Sequence, residues 1–177
     1  MTTLATERLI LRPFADAHLA GLNTLNSQPD VMRYLTGRPE TLDETRAAIA
    51  RVKVKWAEWG YSWWAVFERD SDAIIGAGCI QHLQRDASQP LEIGWRLHPN
   101  SWGKGYASEA ACAMARFAFD KTPASELVAI CHPENAASAR VMQRLGMHFR
   151  GIERWNDAEN AVYAISRAAW QAANAVH

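Results

Sequence analysis

The amino-acid sequence predicts an α/β fold of the α+β kind, a mixed β-sheet flanked by helices, in one domain over residues 1–177. Three observations carry this. Apolar residues recur at helical spacing in some segments and alternate as in strands in others. Helices and strands are interleaved, but a strand–helix–strand unit occurs only in the middle of the chain, so the sheet is not parallel throughout. No repeat, low-complexity tract or Pro/Gly/Ser-rich linker divides the chain.

The elements follow in order. Thr6 to Leu11 reads as a strand stopped by Pro13. Asp16 to Leu25 reads as a helix with Asp16 as its cap, and Pro29 to Leu35 as a short second one. Thr41 followed by Glu44 fits a capping box, and Ile49, Val52, Trp56 and Trp59 then mark one face of a helix that ends at Gly60. Ser62 to Glu68 and Ala73 to His82 are strands joined by the hairpin loop Arg69–Asp72. Leu91, Ile93, Trp95 and Leu97 alternate with Glu92, Gly94 and Arg96, a strand with two unlike faces. Gly105 to Asp120 carries Ala107, Ala111, Met114 and Ala118 at helical spacing; Glu126 to Cys131 reads as a buried strand, and Asn135 to Leu145 as a helix closed by Gly146. Phe149 to Trp155 and Asn160 to Ile165 form a last hairpin, and Ser166 caps a short final helix.

Composition narrows the function. Nearly half of the 177 residues are apolar and 21% are charged, which is a globular composition. Nineteen basic residues balance nineteen acidic ones, which weighs against a nucleic-acid partner. No apolar run approaches the ~20 residues that cross a bilayer, so no membrane partner is expected. The three cysteines, Cys79, Cys112 and Cys131, are odd in number and far apart, and the first residues show no leader pattern; buried free thiols in a cytoplasmic protein are expected. His18, His82, His98, His132, His148 and His177 show no ligand spacing, so no metal is expected. Cys131 and His132 adjoin on a strand and point to opposite faces, which argues against a Cys–His nucleophile pair.

The informative segment is Leu97 to Ala110, in which Gly103 and Gly105 join a strand to a helix. Glycines let backbone approach a ligand closely, and a helix start offers unpaired amides and partial positive charge, so the turn suits phosphate oxygens. It is not a nucleotide P-loop, because Gly105 rather than Ser or Thr follows Lys104. Ser108 stands where a dinucleotide fingerprint needs a third glycine or alanine, so a NAD-dependent reductase is disfavoured.

A second segment, Asn135 to Met147, opens the next helix directly after the next strand. With the glycine-rich turn it resembles motifs A and B of the GNAT superfamily of N-acetyltransferases. Glu7–Pro13, Ile75–Gly76 and Trp102–Ala110 further resemble the branch of ribosomal-protein-alanine N-acetyltransferases. The resemblance implies the GNAT fold, a mostly antiparallel sheet of about seven strands, and an acetyl-CoA-dependent N-acetyltransferase acting on a primary amine by direct attack. That amine belongs to a small molecule or to a protein N-terminus. It also implies that the backbone from Trp102 through Gly103, Lys104, Gly105 and Tyr106 to Ala107 holds the CoA pyrophosphate, that the strand around Arg96 and Leu97 pairs with the pantetheine arm, and that Asn135 hydrogen-bonds that arm. Motif A begins here with Asn100 in place of the usual Arg or Gln.

An amine with a pKa near ~10 must lose a proton before it attacks a thioester. Glu92 matches the family's catalytic glutamate and is the candidate base; Ser138, one turn before Met142, matches the branch's proposed proton donor to the departing thiolate and also belongs to the CoA-contacting set. Met142 replaces the tyrosine that many relatives use, which keeps a non-catalytic acyl-CoA-binding domain as an alternative. Tyr34, Trp64 and Trp95 are the candidate acceptor contacts within a chain rich in aromatic residues. A peptide N-terminus, an aminoglycoside, a polyamine and an aromatic amine all remain open, and either a monomer or a homodimer is compatible.

Overall fold

A computed structural model describes residues 1–175; His177, counted among the histidines above, lies outside them. Eight strands form one sheet: β1 (Leu4–Ala5), β2 (Leu9–Pro13), β3 (Trp63–Glu68), β4 (Ile74–His82), β5 (Leu91–Leu97), β6 (Glu126–Cys131), β7 (His148–Trp155) and β8 (Ala158–Ser166). Their order is β1-β2-β3-β4-β5-β6-β8-β7, with every neighbouring pair antiparallel except β5 and β6. The expected seven strands become eight because β1 (Leu4–Ala5) precedes the strand expected over Thr6–Leu11, which itself begins only at Leu9. Thr6 N–H donates to the Leu9 carbonyl and Thr6 Oγ1 accepts from Leu9 N–H, both at 2.9 Å, and this tight turn lets β1 fold back on β2.

The helices are α1 (Leu19–Asn26), α2 (Pro29–Met32), α3 (Leu42–Trp59), α4 (Tyr106–Lys121), α5 (Ala136–Arg144) and α6 (Arg167–Asn174). Local rules set several ends. Thr41 and Glu44 form the reciprocal capping box of α3, and Gly60 closes it in the left-handed conformation at φ 78°. Ser166 Oγ accepts from Ala169 N–H at the start of α6. Asp16 does not cap α1, contrary to expectation. A 3-10 turn over Asp16–His18 precedes that helix, and the Asp16 carboxylate instead pairs with Lys53 on α3 at 2.7 Å.

Helices α1 and α3 cover one face of the sheet and α4 the other. On the first face Arg96 of β5 donates to Asn26 of α1. On the second, Phe117 of α4 meets Trp64 of β3 edge-on at 5.4 Å, and Met114 fills the space beside Gly78. Gly76 allows β4 and β5 to run close: a Cβ there would lie 2.6 Å from the Arg96 carbonyl oxygen and collide with Leu97. That contact gives the Ile75–Gly76 pair its physical reason. Cys79 and Cys131 are buried free thiols, whereas Cys112 is only partly buried. Among the described residues no helix is long and apolar enough to cross a membrane.

Candidate active site

The site begins where β5 and β6 part. β4 and β5 pair over seven residues, from Gly76 with Leu97 to His82 with Leu91, but β5 and β6 pair only at Glu92 with Val128. Beyond that point the backbone from Gly94 to Leu97 has no β6 partner, so it offers a strand edge inside the molecule. The Leu97 carbonyl accepts from Trp102 Nε1 at 2.8 Å, which ties the end of this edge to the glycine-rich turn.

The turn leaves β5 through a 3-10 segment, Pro99–Ser101, and enters α4 through Gly103 and Gly105 at φ 74° and 82°. Only residues without a Cβ adopt this conformation at little cost. The first intrahelical bond runs from Glu109 N–H to the Gly105 carbonyl, so the N–H groups of Tyr106, Ala107 and Ser108 precede the helix ladder. Buried Ser108 Oγ has no partner among the described residues. Open amides, a positive helix end and an adjacent unpaired strand edge fit a ligand with a phosphorylated head and an amide-bearing arm. The turn is braced from β2's side: Arg8 donates to the Lys104 carbonyl at 2.9 Å and to Glu109 of α4 at 2.7 Å.

Glu92 lies half-buried on the α1–α3 face. Its Oε2 accepts from Gln81 Nε2 at 3.0 Å, and Gln81 Oε1 accepts from Trp63 Nε1 at 3.0 Å, a relay fixed by three adjacent strands. Burial pushes the Glu92 carboxyl from the ordinary 4.5 up to about 7, although the Gln81 hydrogen bond and the Arg85 charge both act downward. Beside it Gly94 keeps the surface low; a Cβ there would approach Cys79 Sγ to 3.2 Å. Across the gap, Asn135 caps α5 by accepting from Ser138 N–H at 3.1 Å, which places Ser138 in the first turn. Met142, one turn on, is buried.

The candidate acceptor contacts separate. Trp64 is wholly buried between Trp56 and Phe117, with its indole N–H donated to the Thr2 carbonyl, so it is a core residue and cannot touch an acceptor. Trp95 leaves β5 on the α4 face, opposite Glu92. Both follow from strand alternation: Trp63, not Trp64, shares Glu92's face. Tyr34 stacks on His132 at the end of β6, with ring centroids 5.1 Å apart. Arg96 projects into the α1–α3 face, so only its backbone belongs to the open strand edge. Trp63 is legible in the sequence only as one of the aromatic residues that could wall the acceptor site, and Gln81 not at all, because the β4–β5 register, which sets Gln81 against Glu92, has no local signature.

A family model described as an acetyltransferase (GNAT) domain matches residues 8–148. The chain belongs to the GNAT acetyltransferase family. It is 33% identical over 149 residues to the uncharacterized N-acetyltransferase YnaD of Bacillus subtilis, covering 84% of each chain. A GNAT-family acetyltransferase of Bacillus anthracis superposes with a TM-score of 0.80 at 26% identity, over 94% of this chain and 99% of that one. The ribosomal L7/L12 α-N-protein acetyltransferase RimL, solved with coenzyme A, superposes with a TM-score of 0.79 over 93% and 98% of the two chains; at 18% identity it speaks for the fold alone. GNAT acetyltransferases draw their acetyl group from acetyl-CoA, and this chain is an acetyl-CoA-dependent N-acetyltransferase.

Proposed function

We propose that the enzyme acetylates a primary amine by direct attack on the thioester, with Glu92 as base and Ser138 as proton donor. The observation that carries this is Glu92 itself: a half-buried carboxyl raised to about 7, held by Gln81 and set where β5 and β6 separate. A base with that affinity is unprotonated in a large fraction of molecules at neutral pH and still takes a proton from an ammonium group, directly or through water.

The backbone amides of Tyr106 and Ala107, at the α4 start, hold the pyrophosphate, and the open edge of β5 around Arg96 and Leu97 orients the pantetheine arm with Asn135. When bound, the cosubstrate supplies the acetyl group as a thioester. The ammonium proton passes to Glu92, the freed amine nitrogen bonds to the acetyl carbon, the carbon–sulfur bond breaks, and the Ser138 hydroxyl donates a proton to the departing sulfur and regains one, through water, as the nitrogen sheds its second proton.

The test is a thiol-release assay over an amine panel, preceded by thermal unfolding with acetyl-CoA, CoA, ATP and NADH. Stabilisation by the two CoA compounds alone, and amine-dependent thiol release that collapses in Glu92→Gln, support the proposal. Normal turnover by Glu92→Gln at every pH removes Glu92 from the mechanism.

A further inference from the structure

A cavity of about 100 Å³ opens on the α1–α3 face and shares Gln81 and Trp63 with the Glu92 relay. Four cations line it, Arg51 and Lys55 from α3, Arg85 from the turn after β4 and Arg96 from β5, against one carboxylate, Glu40. Glu40 is occupied, accepting from Asn26 Nδ2 at 2.8 Å and from Thr45 Oγ1 at 3.3 Å. Lys55 is paired with Glu58 at 2.8 Å. The three arginines form no ion pair among the described residues.

Their placement is specific. Arg96 donates Nε to Asn26 Oδ1 at 3.0 Å and lies 4.5 Å over the Trp63 ring, which leaves its terminal nitrogens without an acceptor among the described residues. Arg85 is delivered by two successive left-handed residues, Gln84 at φ 54° and Arg85 at φ 60°, a conformation that non-glycine residues adopt at a cost. Burial, and after it the Arg85 charge, lower Arg51 from its ordinary value, and burial lowers Arg96; in each the Glu40 charge acts upward without outweighing burial.

We infer that Arg51, Arg85 and Arg96 form an anion subsite of the acceptor pocket, so that the acceptor is a small primary amine that also carries a carboxylate or phosphate group. Guanidinium groups match both anions with paired hydrogen bonds. The same three charges repel aminoglycosides and polyamines, which discriminates against polycationic acceptors by charge. The inference rests on the acetyl-transfer reading above and names the substrate class of that site.

Matched amines test it in the thiol-release assay: phenylalanine against phenethylamine for a carboxylate, phosphoethanolamine against ethanolamine for a phosphate. At least one anionic member should show a kcat/KM higher by about tenfold or more, the scale of one charge-assisted hydrogen bond. That ratio should fall towards one in Arg85→Gln and Arg51→Gln, recover in part in Arg85→Lys and invert in Arg85→Glu. Equal or lower kcat/KM for both anionic members overturns the inference and leaves acetyl transfer standing. A second arm needs no turnover. Calorimetry with 3-phenylpropionate and with ethyl phosphate, neither of which has an amine, should show for at least one of them binding to the wild type that weakens about tenfold in Arg51→Gln and Arg85→Gln. No binding of either to the wild type, or equal binding to all three folded proteins, overturns the subsite. Binding that responds to these arginines, without acetylation of any amine, supports the subsite and counts against the transfer reading instead.

Discussion

Arg8 Nε lies 2.7 Å from Glu109 Oε2, joining the start of β2 to the first turn of α4. Arg8 also donates its amide N–H to Glu109 Oε1 at 2.9 Å, and its guanidinium bridges to the Lys104 carbonyl. The pair therefore fixes the helix end that presents the phosphate-binding amides. Arg8→Ala should raise the KM for acetyl-CoA by about tenfold, the effect of losing one charged hydrogen bond, while changing kcat less. Steady-state kinetics at varied acetyl-CoA checks this; an unchanged KM would make the pair a fold-stabilising contact only. Burial alone raises the Glu109 carboxyl, but Thr6, the Arg8 amide and the Arg8 guanidinium outweigh it and hold it below the ordinary 4.5. A lowered carboxyl contributes stability above its unfolded value, and that stability is lost as pH falls through the folded value. The clamp should therefore loosen in acid.

Glu92 makes a prediction of the opposite sign. As a base it must be ionised, so kcat/KM should climb with pH and level off above about 7. Glu92→Gln should lose that limb and roughly 10²–10⁴ in rate. For stability, a raised carboxyl makes the native state hold more protons than the unfolded chain between 4.5 and about 7, so stability falls as pH rises through that window. Thermal unfolding of Glu92→Gln across the same range should show this slope removed.

Gln81 sets the position of that limb. Its Nε2 donates to the ionised carboxylate, so Gln81→Leu should move the rising limb above about 7. A pH profile that stays in place would show that the hydrogen bond is lost in the working enzyme.

Adjacent tryptophans should behave differently. Trp64→Ala empties a wholly buried site and should cost about 3–5 kcal/mol of stability. Trp63→Phe keeps most of the packing but frees Gln81 Oε1, and it removes the indole under Arg96. Denaturation should single out Trp64, and acceptor KM should single out Trp63.

Asn135 and Ser138 separate a cap from a catalytic role. Asn135→Ala should destabilise by about 1 kcal/mol through the lost cap. Ser138→Ala keeps its backbone N–H in that bond, so it should leave stability nearly unchanged and lower kcat. Unchanged kcat in Ser138→Ala would assign the donor role elsewhere.

Much of this fold was legible in the sequence, and the reason is local. The α3 capping box, the left-handed ends at Gly60 and Gly146, the Ser166 cap and the glycine pair before α4 are decided by neighbours within a turn or two of chain. Strand alternation likewise set Glu92, Gly94 and Arg96 on one face of β5. The turn at Thr6, where the sequence predicts a strand to begin, and the 3-10 turn at Asp16 are not legible locally, because a side chain in each case finds a different partner. Which residues meet across the site was decided by tertiary structure alone. Arg8 and Glu109 are 101 residues apart in sequence, and Trp63, Gln81 and Glu92 align only through the register of three strands. The gathering of Arg51, Arg85 and Arg96 depends on how α3 lies over that sheet. Local propensity fixes where an element begins and which face it offers; register and packing, which no short window contains, fix what that face meets.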